Sequence, residues 1–119
     1  MNNMFIYVDP TIYYQRQIIN FPIGDETKRV IFETRYLEAT DKWYISLYNA
    51  QDGSPICLYI PVIATYEEHH NLFEPYIHKR IGWLVCYCLV DDPSSENPSK
   101  DNMGEFGFFW GDTYGPEYS

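Results

Sequence analysis

The sequence contains few side chains that could bind a metal ion, and most of them lie close together. His69 and His70 are adjacent, follow Glu67 and Glu68, and precede His78. Two histidines on a helix share one face only when they are three or four residues apart, which is the spacing that zinc-binding helices use. Adjacent histidines do not have that spacing. We therefore expect solvated histidines, no metal site and no other cofactor.

The three cysteines, Cys57, Cys86 and Cys88, are the candidates for a thiol nucleophile. A catalytic thiol needs solvent access and a nearby base that lowers its pKa, whereas Cys86 and Cys88 lie in the most apolar run of the sequence. On a strand their Cα atoms would be about 6.6 Å apart, which is long for a disulfide. We therefore expect three reduced thiols that are buried as small apolar side chains, and no catalytic residue.

Aromatic side chains are a third source of binding chemistry, since 18% of the residues are Phe, Trp or Tyr. Trp43, Trp83 and Trp110 could form a platform for a sugar. All three lie in apolar runs typical of strands, which favours a place in the core. A non-catalytic module that binds a glycan or a host surface through exposed aromatics is an alternative that the sequence leaves open.

Acidic side chains outnumber basic ones, 17 to 8, and give a formal net charge of −9. A surface that binds phosphates needs clustered cations, and the adjacent basic pairs are Lys28-Arg29 and Lys79-Arg80. We therefore expect neither nucleic acid nor an anionic membrane as a partner. The acidic surface would complement a basic protein.

A two-residue alternation of apolar and polar side chains predicts that the chain is mainly β. The clearest case is the segment from Trp43 to Pro61, where two alternating runs flank a turn at Asn49–Pro55, as in a β-hairpin. Further strands are predicted at Phe5–Val8, Tyr13–Ile19, Lys28–Leu37, Ile81–Val90 and Phe106–Trp110.

One short helix is predicted after Pro61. Thr65 followed by Glu68 is a capping-box pattern, and Pro75 would end the helix at Glu74. Together these elements predict an antiparallel β-sandwich or a partly open barrel with one short helix. Residues 1–119 are expected to form a single β domain, with a mobile loop at 91–104 and a frayed tail at 111–119.

The order of several short motifs resembles a family of small tailed-phage proteins that includes the baseplate plug of a contractile cyanophage. The first motifs are Arg35-Tyr36, Trp43–Tyr48, Asp52–Ile56 and Ile60–Val62. They are followed by Asn71–Phe73, Tyr76, Gly82–Val85, Asn97-Pro98 and Asp101–Gly104. The resemblance extends from about Tyr14 to Trp110.

This resemblance implies a structural component of a phage or prophage tail, at the baseplate hub, the plug or the end of the tube, without enzymatic activity. It would act through protein–protein contacts with other tail or baseplate proteins, and self-association is a further contact of this kind. Exposed aromatic anchors are expected to make the contacts. The candidates are Tyr13, Tyr14, Trp83, Tyr114 and Tyr118.

The expected location follows from the cysteines and from the amino terminus. The first residues lack the basic and long apolar regions of a signal peptide, and no apolar run approaches the ~20 residues of a membrane helix. Unpaired thiols are typical of a reducing compartment. We therefore expect the protein to fold in the host cytoplasm during assembly and then to reside in the virion tail.

Overall fold

Alternating runs of apolar and polar residues form strands along most of the chain. A computed structural model describes residues 2–67 and 70–112. Its strands are β1 (Asn3–Ile6), β2 (Tyr14–Ile23), β3 (Glu26–Leu37), β4 (Lys42–Asn49), β5 (Pro55–Pro61), β6 (Ala64–Thr65), β7 (Trp83–Cys88) and β8 (Phe106–Gly111). Two 3₁₀-helices, Glu74–Lys79 and Met103–Glu105, complete the described elements. The prediction of a mainly β chain is confirmed.

The strands form two four-stranded sheets that pack face to face. The first sheet has the order β2-β3-β4-β5, a meander in which each strand pairs with the next one in the sequence. The second sheet has the order β1-β8-β7-β6. The two sheets are not closed into a barrel, so the sandwich is the correct one of the two predicted architectures. Among the described strands β6 pairs parallel with β7, and the other pairs are antiparallel.

Large aromatic rings fill the space between the two sheets. Phe21 of the first sheet stacks on Trp110 of the second with ring centroids 4.5 Å apart, and Phe32 meets Phe108 edge to face at 6.3 Å. The buried indoles satisfy their N–H groups with main-chain oxygens, because an unpaired buried donor is costly. Trp110 donates to the carbonyl oxygen of Ile81 at 2.7 Å, and Trp43 donates to that of Ser99 at 2.7 Å.

The short helix lies C-terminal to its predicted position. The sequence placed it between Thr65 and Glu74, whereas the 3₁₀-helix runs from Glu74 to Lys79 and has Pro75 in its first turn, where no N–H is needed. Thr65 instead ends β6, and its hydroxyl accepts a hydrogen bond from the His70 N–H at 3.0 Å. A side chain that bonds the main chain in this way competes with helix formation.

Asparagine side chains fix the segments that precede the two 3₁₀-helices. Asn71 is buried, and its Oδ1 accepts hydrogen bonds from the N–H groups of Phe73 and Leu84 at 2.9 and 3.0 Å. Asn102 in the 91–104 loop accepts a hydrogen bond from the Ser99 N–H at 2.6 Å and donates one to Ser95 Oγ at 2.6 Å. These contacts show how the loop is held, while its mobility stays a prediction. The frayed tail at 111–119 also stays a prediction, since residues 113–119 lie outside the described residues.

Gly82 provides a test of how tightly the sandwich is packed at the start of β7. Its φ is +81°, and a Cβ there would lie 2.1 Å from the Gly111 carbonyl oxygen and 2.8 Å from Trp110 Nε1. Gly53 is a matched control, because its φ is +76° and a Cβ would meet nothing within 4 Å. We expect Gly53→Ala to lower the free energy of unfolding by about 1–2 kcal/mol through backbone strain alone. Gly82→Ala should lower the free energy of unfolding by about 1–3 kcal/mol more than Gly53→Ala does, because the added methyl group overpacks the core.

Urea denaturation followed by tryptophan fluorescence measures both losses. Equal losses for the two variants would contradict the close contact at Gly82.

Candidate functional site

The outward side chains of the first sheet form a surface rich in arginine and tyrosine. The antiparallel register places Tyr14 opposite Arg35 and Arg16 opposite Glu33. Alternation turns these positions away from the core, whose inward β3 residues include Val30 and Phe32. We name this surface the Arg–Tyr face and define it by Tyr14, Arg16, Glu33, Arg35, Tyr48 and Tyr59.

Glu33 lies at the centre of the Arg–Tyr face and is only 2% exposed. Its Oε2 accepts hydrogen bonds from Arg16 Nε at 3.2 Å and from the Tyr14 hydroxyl at 3.3 Å. Its Oε1 lies 3.6 Å from a terminal nitrogen of Arg35. A buried carboxylate is tolerated when it is paired and hydrogen-bonded, so Glu33 positions both guanidinium groups while they remain partly exposed.

Tyrosine rings stack on the flat faces of the two guanidinium groups. The Cζ atom of Arg35 lies 4.5 Å from the ring centroid of Tyr14 and 5.9 Å from that of Tyr59. The Cζ atom of Arg16 lies 4.9 Å from the ring centroid of Tyr48. These are cation–π distances, and a stacked guanidinium keeps its edge N–H groups for other acceptors.

An irregularity in β5 brings Tyr59 to this surface. The pairing between β4 and β5 shifts register between Ile45 and Tyr48, and Tyr59 has a φ of +53°, which is uncommon for a residue with a side chain. The Tyr59 N–H is donated to Ser46 Oγ at 2.9 Å instead of to a main-chain oxygen. Such bulges turn side chains in new directions, and here the result is the contact with Arg35.

The arrangement is suited to binding a protein surface. Arginine and tyrosine are enriched among residues that dominate binding energy at interfaces. An exposed apolar residue, Ile18, continues the face along β2, where it pairs with Ile31 and is 58% exposed. The face therefore combines apolar area, aromatic rings and fixed charges on a rigid sheet.

The predicted interface residues do not lie together. Tyr14 belongs to the Arg–Tyr face and is 48% exposed, whereas Tyr13 packs beside Tyr36 and Trp43 at ring distances of 5.5 and 6.0 Å. Trp83 is 8% exposed and lies over Gly111 on the second sheet. Tyr114 and Tyr118 lie outside the described residues. A role in binding stays a prediction for each of the five.

Most of the Arg–Tyr face has no signal in the sequence. The alternation in Lys28–Leu37 is consistent with Glu33 and Arg35 on the polar side of β3, but nothing in that pattern gives the register with β2. The register is what brings Arg16 to Glu33, and the bulge that turns Tyr59 has no sequence signal of its own.

The outer side of the second sheet is also partly apolar. Phe5 packs edge to face on Phe109 at 5.1 Å, and Tyr87 does so at 5.4 Å. Leu89 is 53% exposed and lies with Phe5 above Gly107, where a Cβ would come within 2.8 Å of the Phe5 ring. No guanidinium is stacked on these rings within the part of the chain that the structure describes.

The described residues offer little that resembles a catalytic or metal centre. Burial raises the pKa of the Cys57 and Cys86 thiols from 9.0 to about 12, which keeps them protonated and poorly nucleophilic. All three cysteines are free. Residues 2–67 and 70–112 contain no group of three or more His, Cys, Asp or Glu side chains placed to hold a metal ion. In the same residues no helix has the length and apolar character to span a membrane.

Thiol labelling should separate Cys88 from the other two cysteines. Cys57 and Cys86 are buried and protonated as expected, whereas the expected burial of Cys88 is wrong because its side chain is partly exposed at the end of β7. We expect iodoacetamide at pH 8 to modify Cys88 in the native protein and to modify all three cysteines in urea. Peptide mass spectrometry gives the rate for each cysteine. Native-state labelling of Cys57 or Cys86 at the rate of Cys88 would contradict the burial.

The raised thiol pKa values also make stability depend on alkaline pH. Below about pH 9 the thiols are protonated in both states, and from about pH 9 to about pH 12 the unfolded chain releases protons that the native state keeps. The free energy of unfolding should therefore fall across that window. A Cys57→Ala/Cys86→Ala variant should show a shallower fall between pH 9 and pH 11 in urea titrations.

Part of the alkaline decrease in the free energy of unfolding should remain in the Cys57→Ala/Cys86→Ala variant. A hydrogen bond to Asp41 raises the pKa of Tyr36 to about 12, which acts in the same direction. An unchanged slope in the double variant would contradict the contribution of the thiols.

Comparison with known proteins identifies the family. The family model described as "Cyanophage baseplate Pam3 plug gp18" matches residues 5–113, which is most of the chain. No curated protein matches the chain. The match confirms the resemblance inferred from the order of motifs between Tyr14 and Trp110. This chain therefore belongs to the family of phage baseplate plugs, which are structural proteins of the virion tail.

Proposed function

We propose that this protein is a non-enzymatic plug subunit at the baseplate hub or the end of the tail tube, and that it binds neighbouring baseplate proteins through the Arg–Tyr face. The observation that supports this most is the buried Glu33, which holds two arginines on an outer sheet surface instead of inside the core. Family membership supports a place in the baseplate. The protein folds in the host cytoplasm, which agrees with its three free thiols, and is then incorporated into the tail.

The Arg–Tyr face is prepared for binding before a partner arrives. An arginine that is already fixed by a carboxylate and by aromatic rings loses less side-chain entropy on association than a free one. Its edge N–H groups can then donate to carboxylate or carbonyl oxygens of the partner. Ile18 adds apolar area next to these polar contacts. The face thus supplies both affinity and orientation.

Co-purification with neighbouring tail proteins tests this function. The protein would be co-expressed with the products of the tail genes adjacent to its own, and complexes would be isolated through an affinity tag. We expect Ile18→Asp to reduce the captured partner at least tenfold, because an unpaired carboxylate would be buried at the interface. Tyr14→Ala should reduce it severalfold, because the Arg35 guanidinium loses its closest ring.

Leu89→Asp is the matched control, since Leu89 is 53% exposed on the outer side of the second sheet and Ile18 is 58% exposed on the first. It should leave capture unchanged. Circular dichroism and urea midpoints must show that all three variants fold. Loss of capture with Leu89→Asp but not with Ile18→Asp would overturn the assignment to the Arg–Tyr face. Absence of any captured tail protein would overturn the proposed function itself.

A further inference from the structure

Two basic pairs that are far apart in the sequence meet at one end of the sandwich. Lys28-Arg29 lies near the start of β3, and Lys79-Arg80 lies at the end of the first 3₁₀-helix, with Arg80 as its C-cap. The Lys28 ammonium group donates a hydrogen bond to the Lys79 carbonyl oxygen at 2.6 Å, which joins the two elements. This end therefore carries four of the eight lysine and arginine residues of a chain whose net charge is −9.

The basic residues border an open cleft of about 690 Å³. The cleft lies between the start of β3, the turn before β5 and the end of the 3₁₀-helix. Lys28, Arg29 and Lys79 line it, and Ile56, which is partly exposed, supplies apolar surface above the buried Val30 and Ile81. A smaller neighbouring pocket, of about 250 Å³, includes Lys28 and Arg80.

The cations of this cleft have no acidic partner at ion-pair distance among residues 2–67 and 70–112. The ion pairs in that part of the chain are those of Glu33 with Arg16 and Arg35. Asp25 and Glu26 line the smaller pocket but lie beyond 4 Å from the basic groups. The four cations of the two basic pairs outnumber Asp25 and Glu26, so this end has a positive excess that would attract an anion into the cleft.

We propose that this cleft binds an acidic peptide segment of another protein, as a second contact separate from the Arg–Tyr face. Carboxylates of the segment would pair with Lys28, Arg29 and Lys79, while one of its apolar side chains would lie on Ile56. Such a mixed lining fits a peptide better than a nucleic acid. A phosphate backbone would extend past four cations onto an otherwise acidic surface.

Fluorescence anisotropy with a defined probe tests the proposal. The probe is a fluorescein-labelled eight-residue peptide of alternating glutamate and leucine, compared with the same peptide carrying glutamine for glutamate. We expect the native protein to bind the glutamate peptide at least tenfold more tightly than the glutamine peptide at low salt. The difference should shrink severalfold at 300 mM salt, because the charges are at the surface.

Variants assign the binding to the cleft. Arg29→Ala/Lys79→Ala should weaken binding of the glutamate peptide at least tenfold, and it leaves the Lys28 side chain in place. Lys42→Ala/Lys100→Ala is the matched control, because it removes the same charge from exposed positions at the other end of the sandwich. The control should leave binding unchanged. Equal losses in the two double variants would overturn the proposal, as would absence of binding at low salt.

Further measurements separate this proposal from its alternatives. Tighter binding of a thymidine oligonucleotide than of the glutamate peptide would assign the cleft to nucleic acid and overturn the proposal. Self-association in sedimentation velocity that Arg29→Ala/Lys79→Ala abolishes would assign it to a second copy, with the same consequence. Tyr14→Ala lies six strand positions from Arg29 in the β2–β3 register, roughly 20 Å away, and should leave peptide binding unchanged. Because Ile18 lies only two positions from Arg29 in the same register, Tyr14→Ala is the variant that distinguishes failure of one proposal from failure of the other.

Discussion

The packing of aromatic rings between the two sheets determines the rest of the structure. Phe21 and Trp110 stack at 4.5 Å, one from each sheet, and both are fully buried. The Trp110 indole also bonds the Ile81 carbonyl oxygen, which leaves no room for a side chain at Gly82. The distance between the sheets and the entry into β7 thus depend on one pair of rings, and the glycine at that entry is required by the Trp110 ring together with the Gly111 carbonyl oxygen. Because these rings take the inward positions, the outward positions are free for binding.

The Arg–Tyr face is unusual because one of its outward residues, Glu33, is buried. Outward strand positions are normally solvated, yet Glu33 is almost completely covered by its neighbours. Removing a carboxylate from water costs several kcal/mol, which the two arginines and the Tyr14 hydroxyl must offset. The cations are in turn oriented by the acid and by the rings of Tyr14, Tyr48 and Tyr59. A surface ordered in this way is more rigid than one made of independent long side chains.

Much of the fold could be predicted because burial on one side of a strand leaves a two-residue pattern in the sequence. That pattern located the hairpin of β4 and β5, the strand that forms β7 and the buried Cys57 and Cys86. It could not locate β6, which is two residues long and pairs in parallel with β7. The helix was misplaced because Thr65 offers its hydroxyl to the main chain in more than one local structure, and the sequence does not say which one forms.

The binding surfaces were less predictable than the strands, and for one physical reason. Arg16 and Glu33 become neighbours through strand register, and Lys28 and Lys79 become neighbours through tertiary packing. Neither relation leaves a local pattern. The sequence presents the two basic pairs as separate, whereas the fold brings them to one end of the sandwich, at the cleft and the smaller pocket beside it. Tyr14 is the predicted contact residue that the fold places on the Arg–Tyr face.

The bulge that turns Tyr59 outward also affects what the free edge of β5 can do. An unpaired edge strand invites another chain to add a strand to the sheet, and long flat edges lead to fibres. β5 is interrupted at Tyr59 and has a proline at each end, Pro55 and Pro61. Such an edge is a poor template for strand addition. The first sheet is therefore poorly suited to polymerise through its β5 edge.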